Sequence, residues 1–149
     1  MGPLLSTFIS ATFIATSILP TEKPVPIINS VQILATADKY IGVPYCRGGS
    51  RGKCFDCSGF TSFVYGKYGV DLSRSASQQY RNAVIISKET AVPGDLVFFK
   101  NKSGYVYHVG IYIGNDKIIH APRYGKRVRV ETIWGQRVEF AKVAYVTAT

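Results

Sequence analysis

Five side chains in this sequence offer thiol or imidazole chemistry: Cys46, Cys54, Cys57, His108 and His120. Of these, Cys57 stands where a helix is expected to begin, in Asp56-Cys57-Ser58-Gly59. The dipole and unpaired N–H groups of a first helical turn favour an anion, so this placement predicts a lowered thiol pKa. Asp56 works against part of that effect unless it is occupied capping the helix. The same N–H groups are placed to stabilise a developing oxyanion. A thiol nucleophile needs a base within hydrogen-bond reach, and the base needs an orienting partner. His108 and His120 are the two histidines of the chain. Taken singly, each residue is as readily a structural one. Together, a helix-start cysteine and two histidines without spares point to nucleophilic catalysis. Two other readings use the same atoms. Cys54-x-x-Cys57 with both histidines is the ligand set of a tetrahedral zinc site, although the histidines are twelve residues apart, outside the usual spacing. Cys-x-x-Cys at a helix start is also the pattern of a redox pair.

These residues must be held by particular elements. A first helix is expected over Val31 to Ile41, capped by Asn29 or Ser30, with Val31, Leu34, Ala37 and Ile41 as its apolar stripe and Gly42 closing it. A second runs from Cys57 to Tyr68, with Phe60, Phe63 and Val64 facing the core. A short third starts at Ser75, where Ser75 and Gln78 form a capping-box pattern. Strands follow: Asp95 to Phe99, Tyr107 to Ile113, Ile118 to Ala121, Val128 to Val130 and Ala141 to Val146. In the Tyr107–Ile113 strand, alternation puts Val109, Ile111 and Ile113 on one face and His108 and Tyr112 on the other. Gly114-Asn115-Asp116 signals a hairpin. A three-residue turn would set His120 opposite Gly110, on the face of His108; a two-residue turn would put the imidazoles on opposite faces. Both turns remain open at this point. Helices first and antiparallel strands later indicate an α+β fold.

The chain has 149 residues, enough for one domain, and its 46% hydrophobic and 18% charged residues are those of a globular protein. Met1 to Thr21 carry no charge, and Leu4 to Leu19 is mostly apolar, shorter than a membrane span of roughly 20 apolar residues. Residues 1–29 therefore read as a signal-like or anchor segment followed by a Pro-rich linker, with membrane contact as one use of the segment. Ala15-Thr16-Ser17 is a passable cleavage site, although the usual basic leader is missing. The folded domain is expected over residues 30–149. The formal charge of +9 favours polyanions, including a carboxylate-rich polymer. The densest basic stretch, Arg123 to Arg129, lacks the motifs of nucleic-acid binding, so no nucleic-acid partner is expected.

The ordered motifs resemble one family. Gly42-Val43-Pro44-Tyr45 with Gly48-Gly49, Phe55-Asp56-Cys57-Ser58-Gly59-Phe60, Leu72-Ser73-Arg74-Ser75 with Gln78, Pro93-Gly94-Asp95-Leu96-Val97-Phe98-Phe99, His108-Val109-Gly110-Ile111-Tyr112-Ile113-Gly114 and Ile119-His120-Ala121 occur in the order found in the NlpC/P60 family of papain-like cell-wall cysteine peptidases. The resemblance covers roughly Ile33 to Val146. It implies a papain-like α+β fold with N-terminal helices packed on an antiparallel sheet and the nucleophile at a helix N-terminus. It further implies Cys57 as nucleophile, His108 as base, His120 as orienting residue and Tyr45 at the oxyanion site. Asp56 and Ser58 match positions that contact substrate, and Arg74-Ser75 matches a pair beside the groove. The implied reaction is hydrolysis of peptidoglycan stem peptides between D-glutamate, through its γ-carboxyl, and a diamino acid, usually diaminopimelate. No cofactor or metal is implied, the partner is the stem peptide, a monomer is expected, and the site of action is outside the cytoplasm.

The chain departs from the family at Arg47, where an aromatic residue often precedes the Gly-Gly pair; Arg47 there would favour a more acidic or differently shaped stem. Cys46 and Cys54 lie outside the catalytic pattern and, in an oxidising compartment, could pair and leave Cys57 free. Two alternatives accompany the hydrolase reading: a related amidase or secreted toxin acting on another amide bond, and a wall-binding module without activity.

Overall fold

Asn29 is where extended chain becomes helix: its Oδ1 accepts the Val31 N–H at 2.7 Å, which satisfies one of the donors that every helix N-terminus leaves open. The structure is a computed structural model that describes residues 27–143 and 145–147. The signal-like segment and most of the Pro-rich linker lie outside the described residues. The linker expected through Asn29 gives way earlier, at β1 (Ile27–Asn29), which pairs in parallel with β8 (Tyr145–Thr147). Helix α1 spans Ser30–Asp38, shorter than expected. Its buried face also differs from the expected stripe. Ile33 and Ala37 are fully buried, whereas Val31 and Ile41 are 60% and 45% exposed. Ile41 falls beyond the helix, in a tight turn that Gly42 closes at φ +91°.

Helix α2 (Cys57–Gly66) carries Phe60 and Val64 into the core, with Phe63 half-buried against Tyr40 and Phe55. Helix α3 (Ala76–Asn82) has Ser75 as its N-cap, and Ser75 Oγ accepts the Gln78 N–H as the capping pattern requires. Buried Gln79 ties α3 to α2, donating to the Ser58 carbonyl and accepting from Thr61 Oγ1.

The helices pack on a six-stranded antiparallel sheet of order β2-β7-β3-β4-β5-β6. Its strands are β2 (Val84–Ile86), β3 (Leu96–Lys100), β4 (Val106–Gly114), β5 (Lys117–His120), β6 (Arg129–Thr132) and β7 (Val138–Lys142). Alternation divides the sheet as the sequence suggests. Leu96, Phe98, Val109, Ile111, Ile119 and Ala141 join the helix core. Val97, Phe99, Tyr112, Ile118 and Phe140 form a second cluster on the other face. β2 is a strand without a strand's sequence pattern: its Val84 and Ile85 are exposed and lack half-buried alternation. Buried Asp95, before β3, accepts the Val92 N–H at 2.8 Å and Lys142 Nζ at 3.0 Å. The fold is therefore α+β, with α2 packed against β4 and β5.

Candidate active site

The segment before α2 is closed on itself. Cys46 and Cys54 form a disulfide, so Cys57 is the free thiol. That pairing occupies Cys54, so a Cys54–Cys57 zinc or redox pair cannot form in this state. Cys46 N–H donates to the Phe55 carbonyl, Phe55 N–H to Pro44, and Asp56 N–H to Gly49. Gly49 and Gly59 permit this packing. A Cβ on Gly49 would overlap the Cys46 sulfur, and one on Gly59 would overlap the Gly49 carbonyl oxygen.

Asp56 is the N-cap of α2. Its Oδ1 accepts the Gly59 N–H at 2.7 Å, and its Oδ2 accepts the Gly48 N–H at 3.1 Å. Arg74 grips the same carboxylate with two bonds, of 3.0 and 2.7 Å, and also donates to Ser58 Oγ. Burial alone would raise the Asp56 pKa, but Arg74 and the two backbone donors hold it below the usual carboxylate range.

The thiol itself does not behave as a helix start predicts. Burial pushes the Cys57 pKa up, and the Asp56 charge adds to that. N–H groups of Val109, Ser58 and Cys57 oppose the rise without reversing it. Position at a helix terminus is thus outweighed by desolvation.

The histidines are aligned by a turn of mixed character. Asn115 and Asp116 both adopt left-handed backbone, φ +52° and +59°, in a two-residue turn between Gly114 and its partner Lys117. A register shift follows, because Tyr112 pairs with Ile118 and Ile113 is the extra residue. This one-residue bulge undoes the flip that a two-residue turn alone would impose. His120 therefore lies beside Gly110, on the face of His108. Gly110 leaves the needed space: a Cβ there would come within 2.8 Å of Ile118 and 3.3 Å of the His120 Cβ.

His108 Nε2 meets His120 Nδ1 at 2.7 Å, and His120 Nε2 meets Glu131 Oε2 at 2.6 Å. Arg129 donates to the other Glu131 oxygen at 2.5 Å. Burial, helped by His120, pushes the His108 pKa down to about 3. Burial also lowers His120, against the pull of Glu131. Trp134 stacks on Phe99 at 4.2 Å between centroids and lies 5.6 and 5.4 Å from the two imidazoles.

Cys57 and His108 open onto one cavity of about 750 Å³, whose walls also include Tyr45, Tyr107, Arg123, Arg129, Glu131 and Trp134. Tyr45 is held there by its N–H bond to the Lys126 carbonyl at 2.9 Å. Burial, with Cys57 and Asp56 nearby, keeps its phenol protonated beyond the ordinary range, so it stands as a donor. His120 lies behind His108, fully buried. Asp56, Ser58 and Arg74 form their own cluster outside the lining. Arg47 is exposed, and Ser75 is spent on capping α3. Glu131 and Trp134 escaped sequence reasoning, since neither belongs to a motif. Arg123 and Arg129 were visible only as the ends of the densest basic stretch.

The NlpC/P60 family profile matches residues 42–145. The probable endopeptidase p60 of Listeria welshimeri is 46% identical over 103 residues, covering 69% of this chain and 19% of that protein. The gamma-D-glutamyl-L-lysine dipeptidyl-peptidase of Bacillus cereus is 36% identical over 112 residues, covering 74% of this chain and 34% of the relative. The chain thus spans about a fifth to a third of these relatives. Among solved structures, an NlpC/P60 family protein from Bacillus cereus superposes with a TM-score of 0.75 at 32% identity, over 83% of this chain and 42% of that one. The NlpC/p60 domain of the peptidoglycan hydrolase SagA gives 0.65 at 42% identity, over 70% and 90% respectively. The motifs, the papain-like arrangement of helix start against sheet and these matches together make the chain a member of the NlpC/P60 family.

Proposed function

We propose that the chain is a cysteine endopeptidase that hydrolyses peptidoglycan stem peptides, with Cys57 as nucleophile, His108 as base and His120 as its orienting partner. The observation that carries this reading is the shared cavity: the free thiol at the start of α2 and the imidazole backed by His120 both open onto it. At rest both groups are neutral, because burial raises the thiol and lowers the imidazole. The proton therefore leaves the sulfur as attack occurs. The new S–C bond forms while His108 takes the proton at Nδ1, the ring nitrogen that His120 does not engage. The oxyanion is held by N–H groups of the α2 start and by Tyr45. Collapse breaks the C–N bond as His108 passes its proton to the departing amine. Water, deprotonated by His108, then attacks the thioester; the C–S bond breaks, the new carboxyl product leaves, and His108 returns the proton to the Cys57 sulfur.

The bond between γ-linked D-glutamate and a diamino acid is the favoured target. A relative named for cleavage at γ-D-glutamyl-L-lysine supports it. Arg123 and Arg129 on the cavity wall suit a carboxylate-bearing stem. The Cys46–Cys54 disulfide supports action in an oxidising compartment outside the cytoplasm. The exposed Arg47 stays in this reading as a residue favouring an acidic stem.

The test is digestion of purified peptidoglycan and soluble muropeptides, with product masses compared between wild type and Cys57→Ala. New fragments split after D-glutamate, absent with Cys57→Ala, are expected. Cysteine-dependent cleavage elsewhere would move the specificity to another amide. Binding without cleavage by folded wild type would replace the hydrolase reading with that of a wall-binding module.

A further inference from the structure

We infer that Glu131 is a positioning residue: its carboxylate fixes the order of protons along His120 and His108, so that His108 presents a bare Nδ1 towards Cys57. The inference rests on the reading of His108 as base to Cys57. An ionised carboxylate only accepts hydrogen bonds. Glu131 Oε2 lies 2.6 Å from His120 Nε2, so that nitrogen carries the hydrogen. A neutral imidazole carries one ring hydrogen, which leaves His120 Nδ1 as an acceptor. The partner of that acceptor, at 2.7 Å, is His108 Nε2, which must then donate. His108 has spent its one hydrogen, and its Nδ1 is free to take a proton. Without the carboxylate the opposite order is equally good for the two rings. His120 Nδ1 would donate to His108 Nε2, and His108 Nδ1 would carry a hydrogen and be useless as a base.

Three features make Glu131 the residue that breaks this symmetry. Register pairs His120 with Arg129 and Ile118 with Glu131, so Glu131 is the diagonal neighbour of His120 on the same face. Arg129 holds the second carboxylate oxygen at 2.5 Å, which keeps Glu131 ionised and its Oε2 turned to the imidazole. Trp134 lies against both rings and His120 is fully buried, so the His120 ring is closed to water while Glu131 reaches it from the cavity wall. Nothing in the motifs marks this position.

The chain contains just two histidines, which makes a direct measurement simple: nitrogen NMR of the full chain labelled with 15N-histidine at neutral pH. The expected wild-type spectrum has both Nε2 atoms protonated and both Nδ1 atoms bare. In Glu131→Gln, Arg129 competes for the amide oxygen and turns the NH2 towards His120, which reverses the order. Both Nδ1 atoms should then be protonated, and kcat on muropeptides should fall about 100-fold with KM within about twofold. Glu131→Ala should give a mixture of the two patterns. A wild-type spectrum with His120 Nε2 bare would overturn the inference, whether or not any variant folds. So would folded Glu131→Gln with unchanged nitrogen signals and kcat. The spectra do not depend on cleavage, so a wild type with the expected tautomers and no activity would count against the hydrolase reading alone.

Discussion

The two halves of the site are built on different principles. The nucleophile half, from Pro44 to Gly59, is local: a disulfide of sequence separation eight, a few backbone bonds and one capping carboxylate hold Cys57. The base half is assembled across three strands, and its parts meet only through register, at a bulge after Tyr112 and a diagonal pair between β5 and β6. Local closure places a side chain by sterics, so it should fail by steric insult. A register-built chain of buried polar groups places protons, so it should respond to pH.

The largest expected effect tests the steric half. In Gly59→Ala the new Cβ would overlap the Gly49 carbonyl oxygen and lie 2.8 Å from Asp56 Oδ1. Backbone cannot swing aside as a side-chain tip can, so the loop or the helix start must move. We expect destabilisation of at least about 3 kcal/mol, with loss of the native fold as one form of it. Chemical denaturation compared with Gly66→Ala, a helical site where a Cβ meets nothing within 4 Å, isolates the clash. Equal stability of the two variants would show that the loop is not closed against α2 as described.

The base half should show itself in the pH dependence of stability. Unfolded His108 takes up a proton below its ordinary pKa of 6.5, whereas burial delays this to about 3 in the fold. The unfolded state therefore binds more protons between those values. Stability conferred by the neutral ring is complete above pH 6.5 and is lost as pH falls towards 3. At pH 4 the loss approaches about 3 kcal/mol, an upper figure for an almost fully buried group. His108→Gln removes this group, so its melting temperature should fall less steeply than that of wild type between pH 7 and 4. Parallel slopes would mean that His108 is solvated and that the contrast between the halves is overstated.

The same division explains what could be read from the sequence. The Asp56 cap, the Ser75–Gln78 box and the alternation of β4 depend on neighbours within a few residues, and each lies where the pattern places it. The hairpin turn was legible as a choice between two lengths. Its resolution, a two-residue turn with a bulge, needed the core, because only burial of Tyr112 and Ile118 on one face selects the register. The Cys57 pKa went the opposite way from the helix argument because desolvation is a property of the packed molecule, not of the turn. Glu131 and Trp134 reach the imidazoles through strand pairing and a loop, which no local spacing encodes.

The smallest of these effects concerns the disulfide, and it asks whether the nucleophile half needs covalent closure beyond its packing. Cys46 and Cys54 close a short loop, for which chain entropy alone gives about 2.5 kcal/mol. The loop is also held by Cys46–Phe55, Phe55–Pro44 and Asp56–Gly49 backbone bonds, and fully buried Phe55 anchors its end. Those bonds do not require the sulfur bridge. Cys46→Ser/Cys54→Ser should therefore melt lower by roughly 5 to 10 °C while keeping most of the rate at which Cys57 is alkylated. If loss of the bridge instead changes the alkylation rate of Cys57 more than tenfold with little loss of stability, the disulfide sets the position of the thiol rather than the stability of its loop. The nucleophile half would then be placed by covalent geometry, and the Gly49–Gly59 contact would be its consequence.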